Sequence, residues 1–314
     1  MTLRPHVDIE AATAFLDERF EGVREVEAFS GGEWSSAFGF RTGDGEFVAR
    51  FGAYRFDYEK DRIASRYAGP DLPIPEVIEV GDALGRAYAV SRRLRGEAFD
   101  RQDEASFRRT LPSVLRMLDA MRLADVSGTE GYGMWRADGD APHASWRALL
   151  LGVRDFDGEP AGRIAGWWDL LRSHAGAETA FEAGYRELEA LVAGVPEDRY
   201  LLHTDFVGDN MRVLDGRVTA VVDWGNAAYG DFLYDLARFD FWRPWYPAWG
   251  MVDVLGAARA HFDEIGLDVP DFEARVRCYE VHIGLDAQAY DAFTHRWDEL
   301  ERAGARTLEV ARGR

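Results

Sequence analysis

Apolar residues at Ile9, Ala12, Phe15, Leu16 and Phe20 share one face of a 3.6-residue repeat, and Asp8 stands where an N-cap belongs. The chain is therefore predicted to open with an amphipathic helix. The period then changes to two: residues 23–29, 36–41 and 46–51 read as three antiparallel strands, joined through Ser30-Gly31-Gly32-Glu33-Trp34-Ser35 and Thr42-Gly43-Asp44-Gly45. A helix is predicted over 57–67, ended by Gly69-Pro70, and strands at 76–80 and 86–91 complete a five-stranded sheet.

From Gly96 onward helical spacing dominates. Phe107, Leu111, Val114, Leu115, Leu118 and Met121 mark one amphipathic helix, with Pro112 expected at a kink or near its start. Further helices are predicted over 146–153, 162–173, 179–192, 251–265, 272–290 and 294–311, interrupted by a single hairpin. The expected architecture is α+β: a small antiparallel sheet lobe over 1–95, then a mostly helical lobe over 96–314 that carries the hairpin. This is the layout of a protein-kinase-like two-lobe fold.

The hairpin carries the most pointed chemistry, placing His203, Asp205, Asn210 and Asp223 around one turn. Asp215-Gly216 is a two-residue hairpin signal, so Leu214 should pair with Arg217, Val213 with Val218, and Asn210 should lie opposite Val221. Asp223 then falls two residues past that partner, roughly 7 Å along the strand. An amide oxygen and a carboxylate at one end of a hairpin can share Mg2+, completed by nucleotide phosphates and water. Asp205, five residues before Asn210, is left free to orient an attacking hydroxyl and accept its proton. With 56 Asp plus Glu any single Asp means little, but Asn210 and Asn226 are the only two asparagines in the chain. The pattern points to phosphoryl transfer from ATP. His203 is expected to brace the loop by hydrogen bonds, and Asp231 and Asp235 to cap or brace the segment that follows, none of them as metal ligands.

On the nucleotide side, the loop 30–36 could fold over phosphates, with Ser35 as a contact. Alternation along the third strand leaves Arg50 to face the phosphates, where its guanidinium can grip two oxygens. Glu59 and Asp61 are both possible partners for Arg50; Asp61, twelve residues before Pro73, is preferred. Residues 85–96 read as the last sheet strand running into the interlobe link, where backbone groups would read adenine and Arg92 and Arg93 are expected to contact the nucleotide.

Composition limits the rest. The chain has 314 residues, 47% of them hydrophobic, enough for a substantial core. No apolar run reaches membrane-span length and the N-terminus lacks a signal-peptide core, so a cytosolic protein with no membrane partner is expected. Cys278 reads as a buried small apolar residue, and the seven histidines show no zinc spacing. A formal net charge of -19 argues against nucleic acid and favours a cationic small molecule, leaving Mg2+ and local arginines to carry the ATP phosphates. A monomer is expected. Lys60 is the only lysine among 37 basic side chains, so Arg where kinases use Lys reflects composition.

Leu72-Pro-Ile-Pro-Glu-Val77, Val90-Ser-Arg-Arg93, Thr219-Ala-Val-Val-Asp-Trp224, Phe241-Trp-Arg-Pro-Trp245 and Ile283-Gly-Leu-Asp286 resemble segments of the aminoglycoside phosphotransferase family, over roughly residues 10–290. Within that family the resemblance is nearest to members acting on hygromycin B, which also look to carry Arg at the Arg50 position. It implies ATP-dependent phosphorylation of a hydroxyl on a cationic aminocyclitol antibiotic, hygromycin B above all, with Asp205 as base and Asn210 and Asp223 as metal ligands. Asp209 departs from a neutral residue in the family and adds charge beside the acceptor. Trp242 and Trp245 are expected to wall the acceptor pocket and Asp286 to take a substrate ammonium. Similarity is poorest over 128–158, which is expected to include part of that pocket. The alternatives are a kinase of another small hydroxyl compound and a non-catalytic nucleotide-binding module. A protein kinase is disfavoured because only Gly225 to Gly230 separates Asp223-Trp224 from the next helix.

Overall fold

A computed structural model describes residues 7–29, 34–158 and 164–313. Helix α1 (Ile9–Arg19) begins at Asp8, whose carboxylate accepts the Ala11 N–H at 2.7 Å, an N-cap as predicted. Strands β1 (Arg24–Phe29), β2 (Ser35–Thr42) and β3 (Gly45–Gly52) follow, then helix α2 (Arg55–Ala64), then β4 (Val77–Ala83) and β5 (Arg86–Arg92). They form one antiparallel sheet in the order β1-β2-β3-β5-β4. Its register sorts the side chains. Phe38, Phe40, Phe47, Ala49, Phe51, Tyr88 and Val90 pack under α1 as a small core, while Ala37 opposite Arg50 leaves the other face to the cleft.

The second lobe starts with β6 (Glu97–Ala98) and α3 (Glu104–Arg122), which runs through Pro112 rather than starting near it. Next come β7 (Gly133–Met134), α4 (Trp146–Leu151), α5 (Trp167–Ser173), α6 (Ala177–Leu191) and β8 (Tyr200–Leu202). The hairpin is β9 (Met211–Leu214) and β10 (Arg217–Val221), followed by β11 (Ala228–Gly230), α7 (Leu233–Trp242), α8 (Val254–Glu264), α9 (Phe272–Phe293) and α10 (Trp297–Ala311). The sequence reading expected one hairpin among helices. Instead β6 extends the hairpin into the three-stranded sheet β10-β9-β6, and β7-β11-β8 forms a second one. Strands of two or three residues are too short for a period of two to register.

The lobes are joined by packing as well as by the chain. Ile63, Ala64, Leu72 and Ile74 come from the first 95 residues yet lie in the main core with Phe99, Phe107, Trp135 and Trp224. Val221 N–H donates to Pro73 O at 2.9 Å, so the Leu72-Pro-Ile-Pro segment is stitched to the hairpin edge. Helix α9 is buried along most of its length, and the polar side chains it buries, among them Arg275, Glu280 and Gln288, are held in ion pairs and hydrogen bonds.

Candidate active site

The Asp215-Gly216 turn has φ of 51° and 74°, the left-handed pair that a tight two-residue hairpin turn demands. Leu214 pairs with Arg217 and Val213 with Val218, as expected. A bulge at Thr219 then shifts the register, setting Arg212 opposite Ala220 and Met211 opposite Val221. Asn210 therefore meets Val222, whose N–H donates to Asn210 O at 2.8 Å, and not Val221. Asp223 comes one residue beyond that partner instead of two. Its own φ of 64° ends the strand, and its side chain is 56% exposed to the cleft.

Asn210 and Asp205 are locked together. Asn210 Nδ2 donates to Asp205 O at 2.7 Å and lies 3.4 Å from Asp205 Oδ2, which leaves the amide oxygen of Asn210 unengaged by those bonds. Asn226, the other asparagine of the chain, donates to Asp205 Oδ2 at 3.3 Å, and Arg238 Nη2 lies 3.2 Å from Oδ1. Both asparagines thus converge on one carboxylate. Burial pushes the Asp205 carboxyl up to about 6, with Arg238 opposing. A carboxylate so placed is still largely ionised at neutral pH and is suited to accept a proton.

The loop holding Asp205 is built from outside. Thr204, at φ of 61°, is held in the left-handed region by Asp235, whose two oxygens accept the His203 and Thr204 N–H groups at 2.8 Å each. His203 is fully buried, accepts the Asp205 N–H on Nδ1 at 3.1 Å and directs Nε2 to Val222 O at 3.0 Å. That pattern fixes the Nε2–H tautomer, and burial holds the imidazole down at about 4, so it stays neutral. Asp231 is farther away, buried in a bidentate pair with Arg275 at 2.7 and 2.8 Å and accepting from Tyr279.

On the sheet side, Arg50 pairs with Asp61, and Asp61 also accepts the Trp224 N–H at 2.8 Å. Glu59 instead pairs with Arg55 and Arg62. Arg50 Nη1 stands 3.9 Å from Asp223 Oδ1. Lys60, the chain's only lysine, is buried on the same helix and donates to Gly225 O at 2.7 Å, a role the sequence did not suggest. Ser35 pairs with Gly52 at the start of β2 and falls on the Arg50 face of the sheet. Residues 30–33 of the expected phosphate loop lie outside the described residues.

Arg92 and Arg93, expected side by side at the nucleotide, diverge. Arg92 pairs in register with Phe47, covers its ring at 5.4 Å and bonds Glu76 at 2.9 Å, on the face opposite Arg50. This corrects Arg92 as a nucleotide contact, because a strand residue faces with its cross-strand partner. Arg93 stays on the cleft face, over the Phe29 ring and paired with Glu27. A Cβ on Gly39 would meet Phe29 Cζ at 2.7 Å and Arg93 Nη1 at 3.0 Å, so only glycine leaves room for that pair.

Helix α7 forms the opposite wall. Arg238 and, one turn on, Trp242 share a face, and Trp242 touches Trp245 edge to face at 4.9 Å. Trp245 is fixed by a 2.5 Å bond from its indole to Glu299 and by Arg302 over its ring. Tyr246 stacks on the buried Trp249 at 3.9 Å; burial pushes its phenol up to about 12, with Asp100, Asp205 and Asp209 adding to the rise. Asp209 is exposed. Asp286 on α9 is half-buried, its carboxyl raised by burial and opposed by the nearby Arg238. Sequence reasoning missed Asn226, Arg238 and Tyr246. Only Asn226 carried a signal, its rarity.

Among the described residues no group of three or more His, Cys, Asp or Glu is arranged to hold a metal. The amide oxygen of Asn210 and the exposed Asp223 carboxylate are a two-oxygen set, which suits a hard cation that keeps phosphate and water ligands.

The profile of the "Phosphotransferase enzyme family" matches residues 25–273. The chain is 30% identical over 318 aligned residues to the hygromycin-B 4-O-kinase of Escherichia coli, covering 97% of this chain and 89% of that one. It is 24% identical over 192 residues to an Escherichia coli aminoglycoside 3'-phosphotransferase, covering 59% and 63%. The structure of a thermostable mutant of aminoglycoside phosphotransferase APH(4)-Ia in ternary complex with AMP-PNP and hygromycin B superposes with a TM-score of 0.82 at 29% identity, covering 95% of this chain and 97% of that one. Spectinomycin phosphotransferase APH(9)-Ia shares the fold at 11% identity and a TM-score of 0.62, covering 97% and 98%.

Proposed function

This chain belongs to the phosphotransferase enzyme family, and we propose that it transfers the γ-phosphoryl group of ATP to a hydroxyl of hygromycin B or a closely related aminocyclitol antibiotic. The observation that carries the reading is the joint fixing of Asp205 and Asn210, which sets a proton acceptor beside a metal-binding oxygen. The full-length likeness to a hygromycin-B 4-O-kinase and to a structure holding hygromycin B supports the acceptor.

Asp205 accepts the proton of the attacking hydroxyl as its oxygen bonds to the γ-phosphorus and the bond to the bridging oxygen of ADP breaks. Asn210 Oδ1 and the Asp223 carboxylate would hold Mg2+, which neutralises charge on the phosphates. Arg50, kept in place by Asp61, meets the phosphates from the sheet, with Ser35 and Arg93 lining the same face. Trp242, Trp245 and Asp209 line the acceptor side, whose negative charge draws a polycation. Among the described residues no helix is long and apolar enough to cross a membrane, and the use of ATP as phosphoryl donor favours action in the cytosol.

Purified protein with Mg2+, ATP and an aminoglycoside panel including hygromycin B is expected to release ADP with hygromycin B. Asp205→Ala is expected to lower kcat by about 10²-fold or more while ATP still binds. ADP release with a different panel member alone would move the acceptor; no release with any would refute this reading.

A further inference from the structure

We infer that Arg238 is a positioning residue for Asp205, fixing the plane of the carboxylate from the helical wall and keeping an acceptor ammonium off it; this rests on Asp205 being the base. Arg238 Nη2 reaches Asp205 Oδ1 at 3.2 Å from α7, while Asn226 and Asn210 reach Oδ2 at 3.3 and 3.4 Å from the loop. The carboxylate is thus held at both oxygens from opposite sides.

A purely structural task does not account for this arginine. The backbone of the loop is already held by Asp235, which takes both the His203 and Thr204 N–H groups. Arg238 is only 13% exposed, and its Nε is buried without a hydrogen-bond partner. A guanidinium kept there incompletely satisfied is a cost to the fold, which a hydrophobic residue would avoid. Besides Asp205, the Asp286 and Asp235 carboxylates lie within electrostatic reach and offset part of the cost of burying its charge.

The chemistry of the acceptor gives the guanidinium its use. A bare carboxylate in a site built for a polycation would collect an ammonium, its stronger partner, and hold the acceptor out of line. With Oδ1 occupied by a resident cation, the neutral hydroxyl is what remains to approach the base. The planar fork also sets an orientation that the point charge of lysine sets less well.

The test compares wild type with Arg238→Gln and Arg238→Lys in steady-state kinetics on hygromycin B, and compares crystal structures of wild type and both variants. For Arg238→Gln, kcat is expected to fall about 30- to 100-fold, the loss typical of a misplaced catalytic group. The KM for hygromycin B should be unchanged or lower, the KM for ATP unchanged, and the Asp205 carboxylate rotated out of its wild-type plane. Arg238→Lys should recover part of kcat, and it carries the test if the glutamine variant does not fold. A kcat within threefold of wild type, a loss that appears as raised KM, or an unmoved carboxylate would overturn the inference. If the wild type does not phosphorylate hygromycin B, the functional reading fails and the carboxylate plane alone decides the part played by Arg238.

Discussion

Asp61, on the helix of the sheet lobe, accepts the backbone N–H of Trp224 at 2.8 Å, and Trp224 directly follows Asp223. The same carboxylate pairs with Arg50. One side chain therefore ties Arg50, helix α2 and the loop that carries Asp223 into one unit, with Lys60 adding a second tie to Gly225.

Removing that tie should be costly twice. Asp61→Ala leaves the mostly buried Arg50 guanidinium with only the distant Asp223 carboxylate, and we expect a loss of about 3 kcal/mol in unfolding free energy. Asp61→Asn keeps an oxygen for Trp224 and should lose less stability, yet its KM for ATP should rise because Arg50 is no longer held. Urea unfolding and ATP titration of both variants separate the two effects; equal losses in both would contradict the division.

Asn210→Ala removes one of two protein oxygens from the proposed cation site and also the clamp on Asp205 O. We expect the Mg2+ concentration for half-maximal activity to rise about tenfold or more. A variant with an unchanged Mg2+ dependence would show that Asn210 serves only to hold the loop.

Gly284 lets α9 and α10 meet. A Cβ there would overlap Thr307 Oγ1 and fall 2.9 Å from Phe241 Cε2. Gly284→Ala is expected to destabilise the protein by about 1–3 kcal/mol. Adding Thr307→Ala removes the nearest clashing atom, so the double variant should lose less than the sum of the singles. Strict additivity in thermal melts would argue against this contact.

His282 is buried with Nδ1 3.0 Å from Tyr234 Oη, and burial lowers it to about 3. Unfolded, the ring takes a proton below about 6.5, which the native state refuses. Its contribution is thus intact above pH 6.5 and is lost as pH falls toward the folded value, at about 1.4 kcal/mol per pH unit. The stability difference between wild type and His282→Gln should fall with that slope from pH 6.5 to 4.5. A flat difference would mean that the ring titrates normally.

The sheet lobe and helices such as α3 and α10 were legible because each buries one face, and a half-buried element writes its period into the sequence. The hairpin turn was legible too, since Asp-Gly meets a local backbone demand. The bulge at Thr219 was not: it moves Asn210 from Val221 to Val222 without altering any apolar alternation that a reader could count. Nor were β6, β7, β8 and β11, each too short to show a period.

Residue types in local spacing therefore determined the two-lobe plan and the candidate base and metal ligands, because His203 to Asp223 lie within one continuous segment. Tertiary packing alone decided which distant groups meet them. Arg238 arrives 33 residues after Asp205, and Asp61 reaches Trp224 across 163 residues. Arg92 and Arg93 are neighbours in the chain yet take opposite faces of the sheet, because β5 pairing sends one onto Phe47 while the other lies over Phe29. Such meetings depend on the relative placement of whole elements, which is set by the summed burial of their apolar faces and not by any spacing along the chain.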